Sequence, residues 1–211
     1  MQYPQTIFVR AILKQLPASV NRIIDAPCGD GRTALALSAG RPAARVIGAD
    51  ISSALIDRAR KQNTAENVDF VQADIHKFVH KLSEIEVFCL INSLFLLPEP
   101  AELLRKISGK LTAAGRLYLI LPNPASSNFR RYQKIFPEVN TFILAGKNYE
   151  EFFARCDLQM TFCEGLARVP FYGRWDTKLL YPVRDRYLFW LESKSKSEDF
   201  GYYLTELKAQ K

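Results

Sequence analysis

Between residues 22 and 122 the chain alternates between short apolar runs and amphipathic stretches. "RIIDA", "RVIGAD", "VDFVQAD", "VFCLIN" and "RLYLILP" read as strands. Between them "GRTALALSAG", "SSALIDRARKQ", "IHKFVHKL" and "PEPAELLRKISGKL" place apolar residues at helical spacing. Strands apolar on both faces need cover on both faces, and this rhythm supplies it as a parallel sheet with helices on either side. The expected class is therefore α/β, a Rossmann-like and mostly parallel sheet. Gly40 ends the first of these helices, Ser52 or Ser53 caps the second, and Pro100 stands in the first turn of the fourth. Ahead of them, residues 5–15 form a further expected helix that Pro17 stops.

Beyond residue 122 the alternation breaks down. "YEEFFARC" reads as a helix, and "LQMTFCEGLARV" and "FGYYLTELK" read as strands. Residues 124–147 and 170–197 are expected to be insertions, with helices near 129–136 and 184–193. At 211 residues, with no repeat or linker, the expectation is one domain spanning 1–211, with residues 1–20 as a helical lid.

A formal charge of +7 raises the question of nucleic acid. The charge is spread, however: residues 1–121 hold 15 Lys+Arg against 11 Asp+Glu, and residues 122–211 hold 14 against 11. No basic block stands out, so nucleic acid ranks behind a small molecule as the expected partner. The longest apolar run, residues 87–97, is too short to cross a membrane, and the start lacks the marks of a signal peptide. A cytoplasmic protein without membrane partners is the expectation. Cys28, Cys89, Cys156 and Cys163 lack metal-ligand spacing and the chain has only two histidines, His76 and His80, so neither zinc nor a disulfide framework is expected.

The chemistry concentrates at the first strand–helix junction. "IIDAPCGDGRTALAL" is a strand, a turn with Gly29 and Gly31, and a helix. Such a turn brings backbone N–H groups and the positive end of a helix to a ligand, and glycine leaves room for close approach. Alone, G-x-G-x-x-A is also just a tight turn. Asp50, however, closes the second strand 19 residues beyond Gly31, where a carboxylate can accept both hydroxyls of a ribose or cap the next helix. Asp74 closes the third strand, placed either to cap a helix or to accept from an adenine amino group. Three acids at the carboxyl ends of three neighbouring parallel strands mark the edge where open α/β sheets bind ligands.

In order and spacing, "IIDAPCGDGR", "VIGADIS", "VDFVQADI", "VFCLIN" and "KLTAAGRLYLI" resemble the class I S-adenosylmethionine-dependent methyltransferases. The resemblance covers about residues 21–122. It implies seven strands, the last antiparallel and inserted between the fifth and sixth, with S-adenosyl-L-methionine as cofactor. By that match Asp25, Gly29 and Gly31 face the methionine part, and Asp50, with Ile51 beside it, holds the ribose. Asp74 and Ile75 meet the adenine, and Asn92 lies near the amino-acid end or the acceptor. NAD is the rival cofactor, but its fingerprint has no acid matching Asp25 and no third acid matching Asp74. An acid beside the glycines suits a ligand with a cationic ammonium better than a pyrophosphate.

The sequence departs from the family at Pro27, where glycine is common, and at Phe95-Leu96, where many small-molecule members carry histidine. Asn92-Ser93-Leu94-Phe95 shares only its ends with the Asn-Pro-Pro-aromatic tetrad used to methylate bases and glutamine. No general base is identifiable. Of 25 aromatic residues, 18 follow Pro122, and Tyr172, Arg174 and Trp175 are the candidate acceptor contacts. The expected reaction is methyl transfer to a small aromatic or acidic acceptor, on oxygen by preference. An RNA or protein methyltransferase is the alternative, followed by a non-catalytic scaffold on the same fold.

Overall fold

The computed structural model describes residues 3–122, 149–166 and 202–210. In chain order these form α1 (Tyr3–Gln15), β1 (Arg22–Asp25), α2 (Arg32–Gly40), β2 (Arg45–Asp50), α3 (Ser53–Gln62), β3 (Val68–Gln72) and α4 (Ile75–Lys81). Then come β4 (Ile85–Ile91), α5 (Pro100–Ser108), β5 (Leu111–Pro122), α6 (Tyr149–Ala154), β6 (Leu158–Leu166) and β7 (Tyr202–Ala209). The seven strands make one sheet in the order β3-β2-β1-β4-β5-β7-β6. β7 runs antiparallel to both β5 and β6, and the pairs from β3 to β5 are parallel. This is the expected class I arrangement. The helices expected near 129–136 and 184–193, with most of both insertions, lie outside the described residues.

Alternation along each strand divides the core between the two faces. Ile23, Val87, Cys89, Tyr118 and Ile120 pack with residues of α1, α2 and α3. Their chain neighbours Ile24, Phe88, Leu90, Leu117, Leu119 and Leu121 pack with residues of α4, α5 and α6. Asp25 has the parity of Ile23, which sends its side chain toward the α1 and α2 face. The expected turn "TAAG" interrupts β5: Ile85 pairs with Leu111 but Val87 with Arg116, so residues 112–115 loop out of register. Gly115 permits this, because a Cβ there would stand 2.6 Å from the Ile85 carbonyl oxygen.

Helix α1 is part of the first core cluster, with Ile12 fully buried and Phe8 3% exposed. Its C-terminal carbonyls are satisfied by Arg41, whose Nη2 donates to Leu13 at 2.8 Å and Leu16 at 3.2 Å. The Tyr118 hydroxyl donates to the Gln15 carbonyl at 3.2 Å. The helix is thus tied to α2 and to the centre of the sheet, while its N-terminal half carries Phe8 toward the carboxyl edge.

β3 is one outer strand. Val46 N–H donates to Asn67 and Ala73 N–H to Asp50, so the odd-numbered residues of this segment bond to β2 and the even-numbered ones face outward. Two outward carbonyls are taken by α3 and its C-cap: Asn63 Nδ2 donates to Val68 at 3.0 Å and Arg60 Nη2 to Phe70 at 2.9 Å. A hollow of about 560 Å³ lies against this edge, and its walls include Arg45, Arg60, Asn63 and Asp69. Arg45 is paired with Asp69 at 2.7 Å, so the polar side chains of this hollow are spent on closing the strand edge.

Candidate active site

A second cavity, of about 220 Å³, opens at the carboxyl ends of β1 and β4. Its walls include Phe8 from α1, Asp25 at the end of β1, Pro27, Cys28, Gly29 and Asp30 from the loop that follows, Arg32 and Thr33 from α2, and Ile91 at the end of β4 with Asn92 after it. This smaller cavity is where the chemistry gathers, since it holds the acid, the glycine loop and the start of α2 together.

The loop is held from below by backbone bonds. Ala26 N–H donates to Cys89 at 3.1 Å, Cys28 N–H to Ala49 at 2.9 Å, and Gly31 N–H to Cys28 at 3.0 Å. The two glycines do different things, although both have positive φ, +56° and +80°. A Cβ on Gly29 would meet nothing within 4 Å, so this residue keeps the cavity open. A Cβ on Gly31 would stand 2.6 Å from Phe70 Cζ and 2.8 Å from Ala59 Cβ, so Gly31 clears space for the core. Gly48 on β2 makes room for the same ring, since a Cβ there would stand 2.7 Å from Phe70 Cδ1. Gly31 is also the N-cap of α2 and has no side chain to accept from the helix N–H groups.

Asp50 locks the loop: Oδ2 accepts from Gly29 N–H at 2.8 Å and Oδ1 from Ser52 N–H at 3.0 Å. A carboxylate has about four acceptor positions, so two remain for a ligand. Asp25 is different. It is 1% exposed, and among the described residues neither carboxyl oxygen has a hydrogen-bond partner. Burial pushes its pKa up to about 8; the Ala34 amide, facing it without closing a hydrogen bond, pulls the other way, and the Asp50 charge adds a little more upward. Burial also raises the Cys28 and Cys89 thiols well above their usual range, with Asp25 contributing.

The remaining expected residues fall in three groups. Asn92 lines the cavity with a left-handed backbone, φ +52°. Asp74 is half-buried and caps α4, its Oδ1 accepting from Lys77 N–H at 3.0 Å. Ile75 packs into the second core cluster at 8% exposure, whereas Ile51 stands 67% exposed at the end of β2. Of the two isoleucines, Ile51 has the free apolar face; the four-residue spacing of Ile75 and Val79 was the available sign that Ile75 belongs to the core. Tyr172, Arg174 and Trp175 lie outside the described residues. Sequence reasoning missed Arg32 on the cavity wall, paired with Asp30 at 2.7 Å, although its place directly after Gly31 was a sufficient signal.

Residues 23–115 match the model of the methyltransferase domain family. With the strand order above, this region is similar in sequence and in fold to the class I S-adenosylmethionine-dependent methyltransferases. Among curated proteins, the release factor glutamine methyltransferase of Mycobacterium leprae (strain TN) is 47% identical over 53 residues. That match covers 25% of this chain, and the chain spans only 18% of the relative's length. The mitomycin 7-O-methyltransferase MmcR aligns with a TM-score of 0.64 at 11% identity, over 97% of this chain and 53% of its own. A putative S-adenosylmethionine-dependent methyltransferase from Listeria monocytogenes aligns with a TM-score of 0.64 at 16% identity, over 99% of both chains. At these identities the two structures speak for the fold. Among the described residues, no helix is long and apolar enough to cross a membrane, and no cluster of His, Cys, Asp or Glu is arranged to hold a metal.

Proposed function

We propose that the protein transfers a methyl group from S-adenosyl-L-methionine to a small aromatic or acidic acceptor, on oxygen by preference. One observation carries the cofactor assignment: a fully buried carboxyl without partners faces a cavity whose glycine loop is open to a ligand. A buried polar group without a partner is expensive, and a ligand ammonium satisfies it. Asp25 therefore receives the amino group and Gly29 admits the amino-acid chain. Asp50 accepts from the ribose hydroxyls, with Ile51 beside them. Asp74 serves the adenine side, where the exposed Ile51 rather than the core residue Ile75 offers an apolar face, and Asn92 stands where cofactor and acceptor meet.

When bound, the cofactor supplies an electrophilic methyl on a sulfonium, and the protein's work is placement. Holding a nucleophile in line contributes about 7–11 kcal/mol to lowering the barrier. An acidic acceptor needs no general base, which suits a site where no histidine follows β4. The acceptor side is assigned to residues 124–147 and 170–197, with Tyr172, Arg174 and Trp175, in a single domain closed by α1.

The curated relative favours a second reading, a protein methyltransferase, with RNA as a further acceptor class. Against glutamine methylation, Ser93 and Leu94 replace the two prolines of the tetrad, and Phe95 is buried in the core. The deciding experiment is calorimetric binding of S-adenosylhomocysteine to the wild type and to Asp50→Ala. Labelled methyl donor is then supplied with phenols, carboxylates, RNA and a glutamine-bearing peptide. At 100 times Kd the ligand adds about 2.7 kcal/mol of stability. Binding that Asp50→Ala loses, with label on small acids or phenols, supports the proposal. Label only on RNA or peptide moves the assignment to the second reading, and no binding at millimolar ligand leaves the scaffold.

A further inference from the structure

Asp25 is the most deeply buried acidic side chain among the described residues. Asp50 faces it from β2 as an anion, and Cys89 flanks it on β4. The loop brings Cys28, and beyond it the Asp30–Arg32 pair, in which the guanidinium is already held by a carboxylate. From α2 comes the Ala34 amide, and α1 brings Phe8 to the same cavity. Both thiols are neutral, because burial raises them. No group facing Asp25 in this set supplies a free positive charge. An ionised carboxylate here has no counter-ion among these described groups, and it repels Asp50.

Resting on the cofactor reading above, we propose that Asp25 is a proton-exchange site. It is neutral in the ligand-free protein and gives up its proton as the ligand's ammonium arrives, so binding releases one proton and tightens as pH rises. The O–H bond of the carboxyl breaks, the proton passes to the buffer, and the carboxylate left behind pairs with the ammonium. No oxidant or further reactant enters. The burial that lifts this carboxyl to about 8 puts the exchange inside the neutral range. The pocket thereby discriminates by charge: a ligand without the ammonium cannot stabilise the ionised form and binds with the proton still in place.

The test is calorimetry on the full chain with S-adenosylhomocysteine, in buffers of low and high ionisation enthalpy. Below pH 7.5 the ligand's own ammonium stays charged. The expected result is close to one proton released at pH 7 and a Kd that tightens about tenfold per pH unit between roughly pH 6 and 7.5. 5′-Methylthioadenosine, which lacks the amino-acid chain, is expected to bind without proton release. Asp25→Asn keeps the shape of the neutral carboxyl and abolishes both the release and the slope. Should that variant fold poorly, the wild type carries its own readout: a protonated-carboxyl infrared band that disappears on adding S-adenosylhomocysteine. Binding without proton release, independent of pH, overturns the exchange and leaves the cofactor site standing. Equal release with methylthioadenosine also overturns it. No binding of either ligand at any pH overturns the cofactor reading and the exchange together.

Discussion

Replacing each glycine of the loop by alanine separates two roles that the sequence presents as one motif. At Gly31, φ is +80° and the added methyl would stand 2.6 Å from Phe70 Cζ and 2.8 Å from Ala59 Cβ. Left-handed strain is worth about 1–2 kcal/mol and overpacking of a close-packed core about 1–3 kcal/mol, so Gly31→Ala is expected to destabilise by about 2–5 kcal/mol. For a chain of this size each kcal/mol lowers Tm by about 2–4 °C. At Gly29 the strain term applies but the packing term does not, because a Cβ there meets nothing within 4 Å. Gly29→Ala is expected to lose about 1–2 kcal/mol, while its methyl enters the cavity and weakens S-adenosylhomocysteine. Urea unfolding gives the stabilities and calorimetry gives the affinities. Phe70→Leu in the Gly31→Ala background recovers part of the packing loss and none of the strain. The reasoning is refuted if Gly31→Ala is no more destabilising than Gly29→Ala, or if Phe70→Leu makes it worse by the full sum of the single effects.

Three further outcomes are expected. Asp25 is raised in the native state, so the native protein holds a proton that the unfolded chain has lost between about pH 4 and pH 8. Its stabilising share is whole below the unfolded value of 3.8 and is lost as pH rises through about 8, a change of a few kcal/mol. Urea midpoints at pH 5 and pH 8 should therefore fall more for the wild type than for Asp25→Asn; equal falls contradict the sign. Ile12→Ala, at a fully buried position of α1, is expected to destabilise by about 2–5 kcal/mol in a thermal scan, and a change under 1 kcal/mol would mean that α1 is not part of the core. Arg60→Ala with Asn63→Ala uncovers the Phe70 and Val68 carbonyls on the outer edge of β3. Light scattering should show concentration-dependent self-association by that double variant, and a monomer at all concentrations would show that the edge needs no cover.

The parallel half of the sheet was legible because each of its signals is local. An apolar run bounded by a turn needs no distant partner to be read, and neither does the Ser52 cap or the Pro100 start. Asp25 and Asp50, which end β1 and β2, were legible for the same reason, whereas Asp74, expected to close the third strand, stands two residues beyond β3 as the cap of α4. What sequence could not show depends on neighbours far along the chain. Gly31 and Gly48 look like a ligand turn and a weak strand position, yet both make room for the ring of Phe70. Asp25 reads as an acid awaiting a cation, but the upward shift of its pKa comes from a burial that exists only once β1, β2 and α2 have assembled. Ile51 and Ile75 each follow a strand-end aspartate and look alike; the helix that begins at Ile75 turns one of them inward.

The place of β7 bears on how the protein is made. It lies between β5 and β6, yet it is synthesised after both. While the chain is growing, strands β1 to β5 can assemble with their helices as soon as each emerges, since domains fold largely in the order of synthesis. β6 has no such option, because among the described residues its one partner in the sheet is β7. During that interval β5 presents an open edge, with Leu117, Leu119 and Leu121 still lacking part of their cover. Cutting the chain before residue 202 therefore removes two strands from the sheet rather than one, and it leaves the nascent protein with the kind of edge on which other chains aggregate.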